Sequence, residues 1–154
     1  MNAMKSTMVA ALAAVLALAG CATGAKLSDQ EKLSLYDSHA GEPVNSFRFF
    51  GSLNGWTPLG DSALAVWTRP GEAWLLDLTG PCQDLRFTPA IGLTSNMSSV
   101  YARFDKVLVR SQGSINFPCH IAQIRPLDVK ALRASENELR AARVEEREAE
   151  VPEE

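Results

Sequence analysis

The chain has 154 residues, 46% of them hydrophobic and 21% charged, with 18 acids against 15 bases. This length suits one domain and excludes two full-sized ones, and the hydrophobic share excludes a wholly disordered chain. The mildly acidic balance argues against nucleic acid as a partner, because phosphate binding needs a basic surface.

Residues 1–20 have the pattern of an export signal. Lys5 supplies a positive start, Met8–Ala19 is an apolar run, and Ala19 and Gly20 put small residues before Cys21. The run is shorter than the roughly 20 residues that cross a bilayer. A cleaved signal is therefore expected, with a retained anchor helix as the alternative. Met4-Lys5 offers a second start.

Leu18-Ala19-Gly20-Cys21 resembles the bacterial lipobox. The resemblance implies diacylglycerol on the Cys21 thiol, cleavage before Cys21, and an acyl chain on the new amine. Each buried methylene contributes about 0.8 kcal/mol, and two or more chains anchor stably. Residue 22 is Ala, where an Asp would resemble an inner-membrane retention signal. The expected address is the outer membrane of a Gram-negative cell, facing the periplasm. Cleavage removes one Lys and no acid, leaving 14 bases, 18 acids and a net charge of −4. That sign argues against polybasic docking on anionic lipid.

With Cys21 lipidated, Cys82 and Cys119 remain. An even remainder in an oxidising compartment reads as one disulfide, and two thiols allow one connectivity. A loop over residues 82–119 would contribute on the order of 4 kcal/mol in the chain-entropy model. The alternative is a pair of buried free thiols. A redox pair is disfavoured: no C-x-x-C occurs and no Lys or Arg adjoins either cysteine, although His120 follows Cys119.

Residues 21–27 read as a lipidated tether of mostly small residues. Ser28 and Glu31 fit a capping box, which predicts a helix over about Asp29–Ser38, ended by Gly41 and Pro43. Residues 28–128 read as a disulfide-stapled β domain. Phe47, Phe49 and Gly51 alternate with Ser46, Arg48 and Phe50, so one of the adjacent aromatics Phe49 and Phe50 is expected to be exposed. Asn54-Gly55 is a turn signal. Ala63–Thr68 and Ala73–Leu78 flank Arg69-Pro70-Gly71-Glu72 and predict a hairpin. Leu85–Phe87 is read as a brief strand and Ile91–Ser99 as loop. Weak alternation over Val100–Phe104, a strand at Lys106–Arg110, a turn at Gln112–Ser114 and a last strand over Cys119–Ile124 follow. The expected fold is mainly β (α+β), a small antiparallel barrel or sandwich of five to seven short strands. Residues 129–154 read as a helix N-capped by Asp128, packed in its first half and solvated in its second, then an acidic tail.

No G-x-S-x-G, P-loop or G-x-G-x-x-G occurs, and His39 and His120 have no metal-ligand spacing. No cofactor, metal or catalytic residue is expected on these grounds. Asp77, Asp84, Asp105 and Asp128 could furnish paired carboxylates, but acids at strand ends and turns are ordinary. Trp56, Trp67 and Trp74 are candidate ligand contacts, with core packing as the alternative. Trp67 and Trp74 are expected near each other across the hairpin.

Several segments occur here in a familiar order: His39–Val44, Trp56–Leu59, Ala73–Leu76, Pro81–Leu85, Ile91–Thr94, Phe104–Val107, and Cys119–Ile121 running into Ile124–Asp128. Over residues 30–133 the chain resembles a family of small proteobacterial, xanthomonad-type lipoproteins of unknown function with two signature cysteines. The resemblance implies an envelope location and a structural disulfide, and it brings no activity. The expected role is a non-enzymatic binding or adaptor module, with the C-terminal helix as the surface for an envelope protein. The alternatives are a binder of a sugar, peptide or lipid, and a hydrolase using Asp105, His120 or the cysteines.

Overall fold

The computed structural model describes residues 26–110 and 116–149. The signal segment, Cys21, the start of the tether, the turn at Gln112–Ser114 and the end of the acidic tail lie outside the described residues. Among the described residues, no helix is long and apolar enough to cross a membrane.

Helix α1 spans Asp29–Ser38. The capping box forms: Ser28 Oγ accepts from the Glu31 N–H at 3.2 Å, and the Ser28 N–H donates to Glu31 Oε2 at 2.7 Å. The Ser28 N–H, and the Ser28 hydroxyl at 2.8 Å, both donate to the Glu31 carboxylate and hold its pKa below the ordinary value.

Eight strands follow: β1 (Ser46–Arg48), β2 (Gly55–Pro58), β3 (Ala63–Arg69), β4 (Glu72–Leu78), β5 (Ile91–Leu93), β6 (Ser99–Tyr101), β7 (Lys106–Arg110) and β8 (Asn116–Leu127). Helix α2 (Val129–Ala149) ends the described chain, and Asp128 Oδ1 accepts from the Ala131 N–H at its start. Six strands make one antiparallel sheet, ordered β2-β3-β4-β8-β7-β5, and β1 pairs with β6 in a small ribbon. The fold is a curled antiparallel half-barrel with a short helix before it and a longer one after it.

The curl has a local cause. Strand β8 pairs with β7 over Asn116–His120 and with β4 over Ile121–Leu127. The register shifts between Asp77↔Gln123 and Leu78↔Ile121, which leaves Ala122 as an extra residue. Such a bulge bends the strand and increases its twist. Two short ladders thereby share one long strand.

Both faces of the sheet are covered, which explains the unbroken burial of Ala63-Leu64-Ala65-Val66. On one face Ala63, Ala65, Ala73 and Leu75 pack with Tyr36, Val129 and Leu132 of the two helices. On the other, Leu64, Val66, Leu76 and Ile124 pack beneath Phe47 and Val100 of the ribbon. The helices are also joined to each other. Tyr36 Oη donates to Glu136 Oε1 at 3.0 Å, and His39 Nε2 lies 3.0 Å from Ser135 Oγ. Arg125 ties α1 to the sheet, bridging Asp37 at 2.6 Å and Asp77 at 3.1 Å. Burial raises the Asp77 carboxyl above its ordinary pKa, and Arg125 offsets this only in part. Burial opposes the charge on Arg125, yet Asp37 and Asp77 together raise it.

Three local expectations change. Leu85–Phe87 is a turn: Cys82 and Leu85 are both buried, a three-residue spacing that an extended strand would place on opposite faces. Ile91–Leu93 is a strand, because its backbone pairs with Val107–Val109. Trp67 and Trp74 lie on opposite faces, since the register pairs Trp67 with Ala73 and Trp74 with Val66. The second half of α2 is exposed at Leu139 and Val144, while Ser135 and Glu136 still reach α1.

Candidate functional site

An incomplete barrel leaves two edge strands unpaired on one side, here β2 and β5. The curl brings both to one solvent-open cleft of about 390 Å³. Gly55 and Trp56 of β2 form one wall, and Ile91, Gly92 and Leu93 of β5 form the other. Phe49 and Leu53 contribute side chains between them. The lining holds no charged residue.

Backbone groups add polarity. The Thr94 N–H donates to Lys106 O, and the Arg110 N–H donates to Ala90 O. Alternation along an antiparallel ladder then turns the N–H and C=O groups of Ile91 and Leu93 away from β7, toward the open edge. On the opposite edge Pro58 has no N–H to offer, which blunts strand pairing there.

The rim carries apolar side chains on a constrained turn. Asn96 and Ser99 exchange backbone hydrogen bonds at 2.8 and 3.0 Å around Met97 and Ser98. Met97 and Ser98 have φ of 48° and 56°, the geometry of a two-residue primed hairpin turn usually made by Asn-Gly. Each costs on the order of 1 kcal/mol in an L-residue. The Phe49 N–H donates to Ser98 O at 2.9 Å, and Phe50 and Met97 flank that bond with exposures of 71% and 88%. Phe50 is thus the exposed member of the aromatic pair.

The three tryptophans separate. Trp56 lines the cleft. Trp67 meets Tyr36 edge-on under the helices, with ring centroids 6.2 Å apart. Trp74 stacks on Phe47 at 5.1 Å beneath the ribbon, and its Nε1 is buried without a hydrogen-bond partner among the described residues. Trp67 and Trp74 are therefore packing residues, and no platform of three tryptophans exists.

Cys82 and Cys119 are joined as a disulfide, with Cα atoms 5.6 Å apart. The bond links the loop after β4 to β8, so its sulfurs are committed to structure. Asp105 is buried and accepts from Thr94 Oγ1 at 2.6 Å and from the Tyr101 N–H at 2.7 Å. It builds the turn before β7, while His120 is exposed on β8. Asp77 serves Arg125, Asp128 caps α2, and Asp84 reverses a loop at φ 61°. The four carboxylates are dispersed among these separate duties.

A smaller hollow of about 220 Å³ lies beside the β8 bulge, between Val44, Tyr101, Phe104 and Ala122. Its lining includes the charged Arg103, and its aromatic residues Tyr101 and Phe104 are exposed. The sequence did not mark the β5 wall of the larger cleft, because Gly92 interrupts the apolar pair Ile91 and Leu93 and hides the strand pattern.

A family model matches residues 4–143 and is described as a family of unknown function (DUF6491). The chain belongs to that family. Among curated proteins and solved structures, nothing matches it.

Proposed function

We infer that the protein is an outer-membrane lipoprotein whose periplasmic domain is a non-enzymatic binding module of the cell envelope. The observation that carries the binding role is the seam cleft, with its uncharged lining, exposed Phe50 and Met97 rim, and outward backbone groups on β5. Support for the address comes from the apolar run ending in Leu18-Ala19-Gly20-Cys21, from Ala22, and from a disulfide of the kind that persists outside the cytoplasm.

The lining selects among ligands. A sugar needs side-chain hydrogen-bond partners around its ring, and a charged ligand needs a countercharge. An uncharged cleft with the Trp56, Ile91 and Leu93 side chains, a single hydroxyl at Ser95, and backbone donors and acceptors along one edge suits an extended apolar peptide or an acyl chain. Trp56 reports occupancy. Titration with envelope lipids, apolar peptides and sugars should change tryptophan emission for one of the first two classes and leave it unchanged for sugars. Silence from all three classes removes the small-ligand reading.

A second reading rests on α2, whose Leu139 and Val144 are exposed. Here the helix is an adaptor surface for an envelope protein. Removing residues 137–154 keeps the Tyr36–Glu136 and His39–Ser135 contacts, which a cut after Arg133 would destroy. Crosslinking of the tagged protein in the envelope, followed by mass spectrometry, separates the two readings. One dominant protein lost on truncation favours α2; a protein or lipid retained on truncation favours the cleft.

A further inference from the structure

The loop after Cys82 is tightly built and yet presents an aromatic ring to solvent. Cys82 is fixed by its disulfide and by its N–H donating to Asp61 O at 2.7 Å. Leu85 is fully buried in the core. Asp84 reverses the chain at φ 61°, and its carbonyl accepts from the Phe87 and Thr88 N–H groups at 3.0 and 2.9 Å. Thr88 Oγ1 then lies within donating distance of two carbonyls, Ala90 O at 2.7 Å and Arg110 O at 2.9 Å. On this frame Phe87 is 81% exposed. Leaving it in water forgoes the stabilisation that burying an aromatic ring brings.

Arg86 shows which part of the molecule this loop adjoins. Its guanidinium lies over the Phe87 ring, 5.6 Å from the centroid, and its Nη2 is 2.5 Å from Asp29 Oδ2, in the first residue of α1. Ser28 caps α1 at that same end, and Cys21 stands seven residues earlier in the chain. Seven residues span at most about 25 Å when extended. An acyl group on Cys21 thus keeps this edge of the domain within about 25 Å of the bilayer.

We propose that Arg86 and Phe87 form a membrane foot: the Phe87 ring enters the interface of the leaflet that carries the Cys21 acyl chains, and the Arg86 guanidinium meets its phosphates. The proposal rests on the reading that Cys21 is lipidated. Its chemistry is that of interfacial anchors, in which an aromatic ring sits at the acyl boundary and a basic head stays with the headgroups. One ring and one guanidinium cannot bind a bilayer alone. With the acyl chains already inserted, they choose which edge of the domain faces the lipid.

The test uses full-length protein made in a Gram-negative host, reconstituted into vesicles of phosphatidylethanolamine and phosphatidylglycerol at about three to one, near the phospholipid ratio that carries a modest negative surface charge. A photoreactive phenylalanine replaces Phe87 in one sample and Phe104, which is 80% exposed on the turn before β7, in another. Intact mass reads both the Cys21 acyl groups and any phospholipid adduct. The expected result is acylated protein with phospholipid adducts several-fold more abundant at position 87 than at 104. Acylated protein with equal adducts at both positions, or none at 87, overturns the foot and leaves the lipoprotein reading standing. Protein without acyl groups overturns both. An Arg86→Gln variant of the position-87 sample should lower adduct yield without altering acylation; unchanged yield removes Arg86 from the foot.

Discussion

Toward α1 and α2 the central strands offer Ala63, Ala65 and Ala73 beside Leu75 and Trp67; toward the ribbon they offer Leu64, Val66, Leu76 and Ile124. Small side chains let helices approach a sheet closely, and the helix side is further sealed by Tyr36–Glu136, His39–Ser135 and the Asp37–Arg125–Asp77 bridge. The ribbon side is filled by large side chains and a disulfide, yet its cover stops short of the seam between β2 and β5. Two faces of one sheet thus divide the work. The closed one gives rigidity, and the partly open one keeps apolar surface within reach of a ligand.

That division can be broken by substitution. Cys82→Ala with Cys119→Ala removes the staple on the ribbon side and should cost about 4 kcal/mol, read as a lower urea midpoint. Leu76→Ala opens a cavity on the same side and should cost about 3 kcal/mol. Ala65→Leu tests the other face: added volume where the helices close in should cost about 2 kcal/mol although it adds apolar carbon. A stabilising Ala65→Leu would show that the helix face has room to spare.

A pH experiment sharpens the same comparison. Burial, with the neighbouring Glu136 charge and hydrogen bond, raises the Tyr36 phenol well above its ordinary value of 10.0. The folded state therefore holds this proton more tightly than the unfolded state. Its contribution is intact below pH 10 and falls as pH rises beyond it, toward the folded value. Wild-type stability should decline in that window, and Tyr36→Phe should decline less while losing about 1 kcal/mol at neutral pH. The smallest stability effect belongs to the rim. Phe50→Ser should change stability by less than about 0.5 kcal/mol. It should nevertheless reduce the envelope crosslinks captured from the cleft.

Local signals in the sequence were readable where the chemistry is local. The Ser28–Glu31 box, the Asp128 cap, the Pro70-Gly71 hairpin and the Cys82–Cys119 pair each act over a few residues or admit one solution. The mainly β class with a helix at each end followed from alternation and caps. Misreadings arose where tertiary pairing decides. Ile91–Leu93 becomes a strand only because β7 lies beside it. Leu85 looks strand-like only until its burial beside Cys82 is known. An irregularity at Thr68 accompanies the hairpin turn, and the pairing of Trp74 with Val66 places the two hairpin tryptophans on opposite faces. The cleft was legible only through Trp56, because a seam between residues 55–56 and 91–93 is a property of the curl, and the curl depends on one extra residue in β8.

Strand β8 also sets the order of events during biosynthesis. The meander β2-β3-β4 and the pair β7-β5 meet only through residues 116–127. Until the ribosome has made that stretch, the nascent chain holds two unfinished sheets, each with an inner edge unpaired. Pairings this distant in sequence form slowly, because loop closure precedes any gain from contact. A message truncated before Asn116 would release fragments with open edges, ready substrates for aggregation or proteolysis.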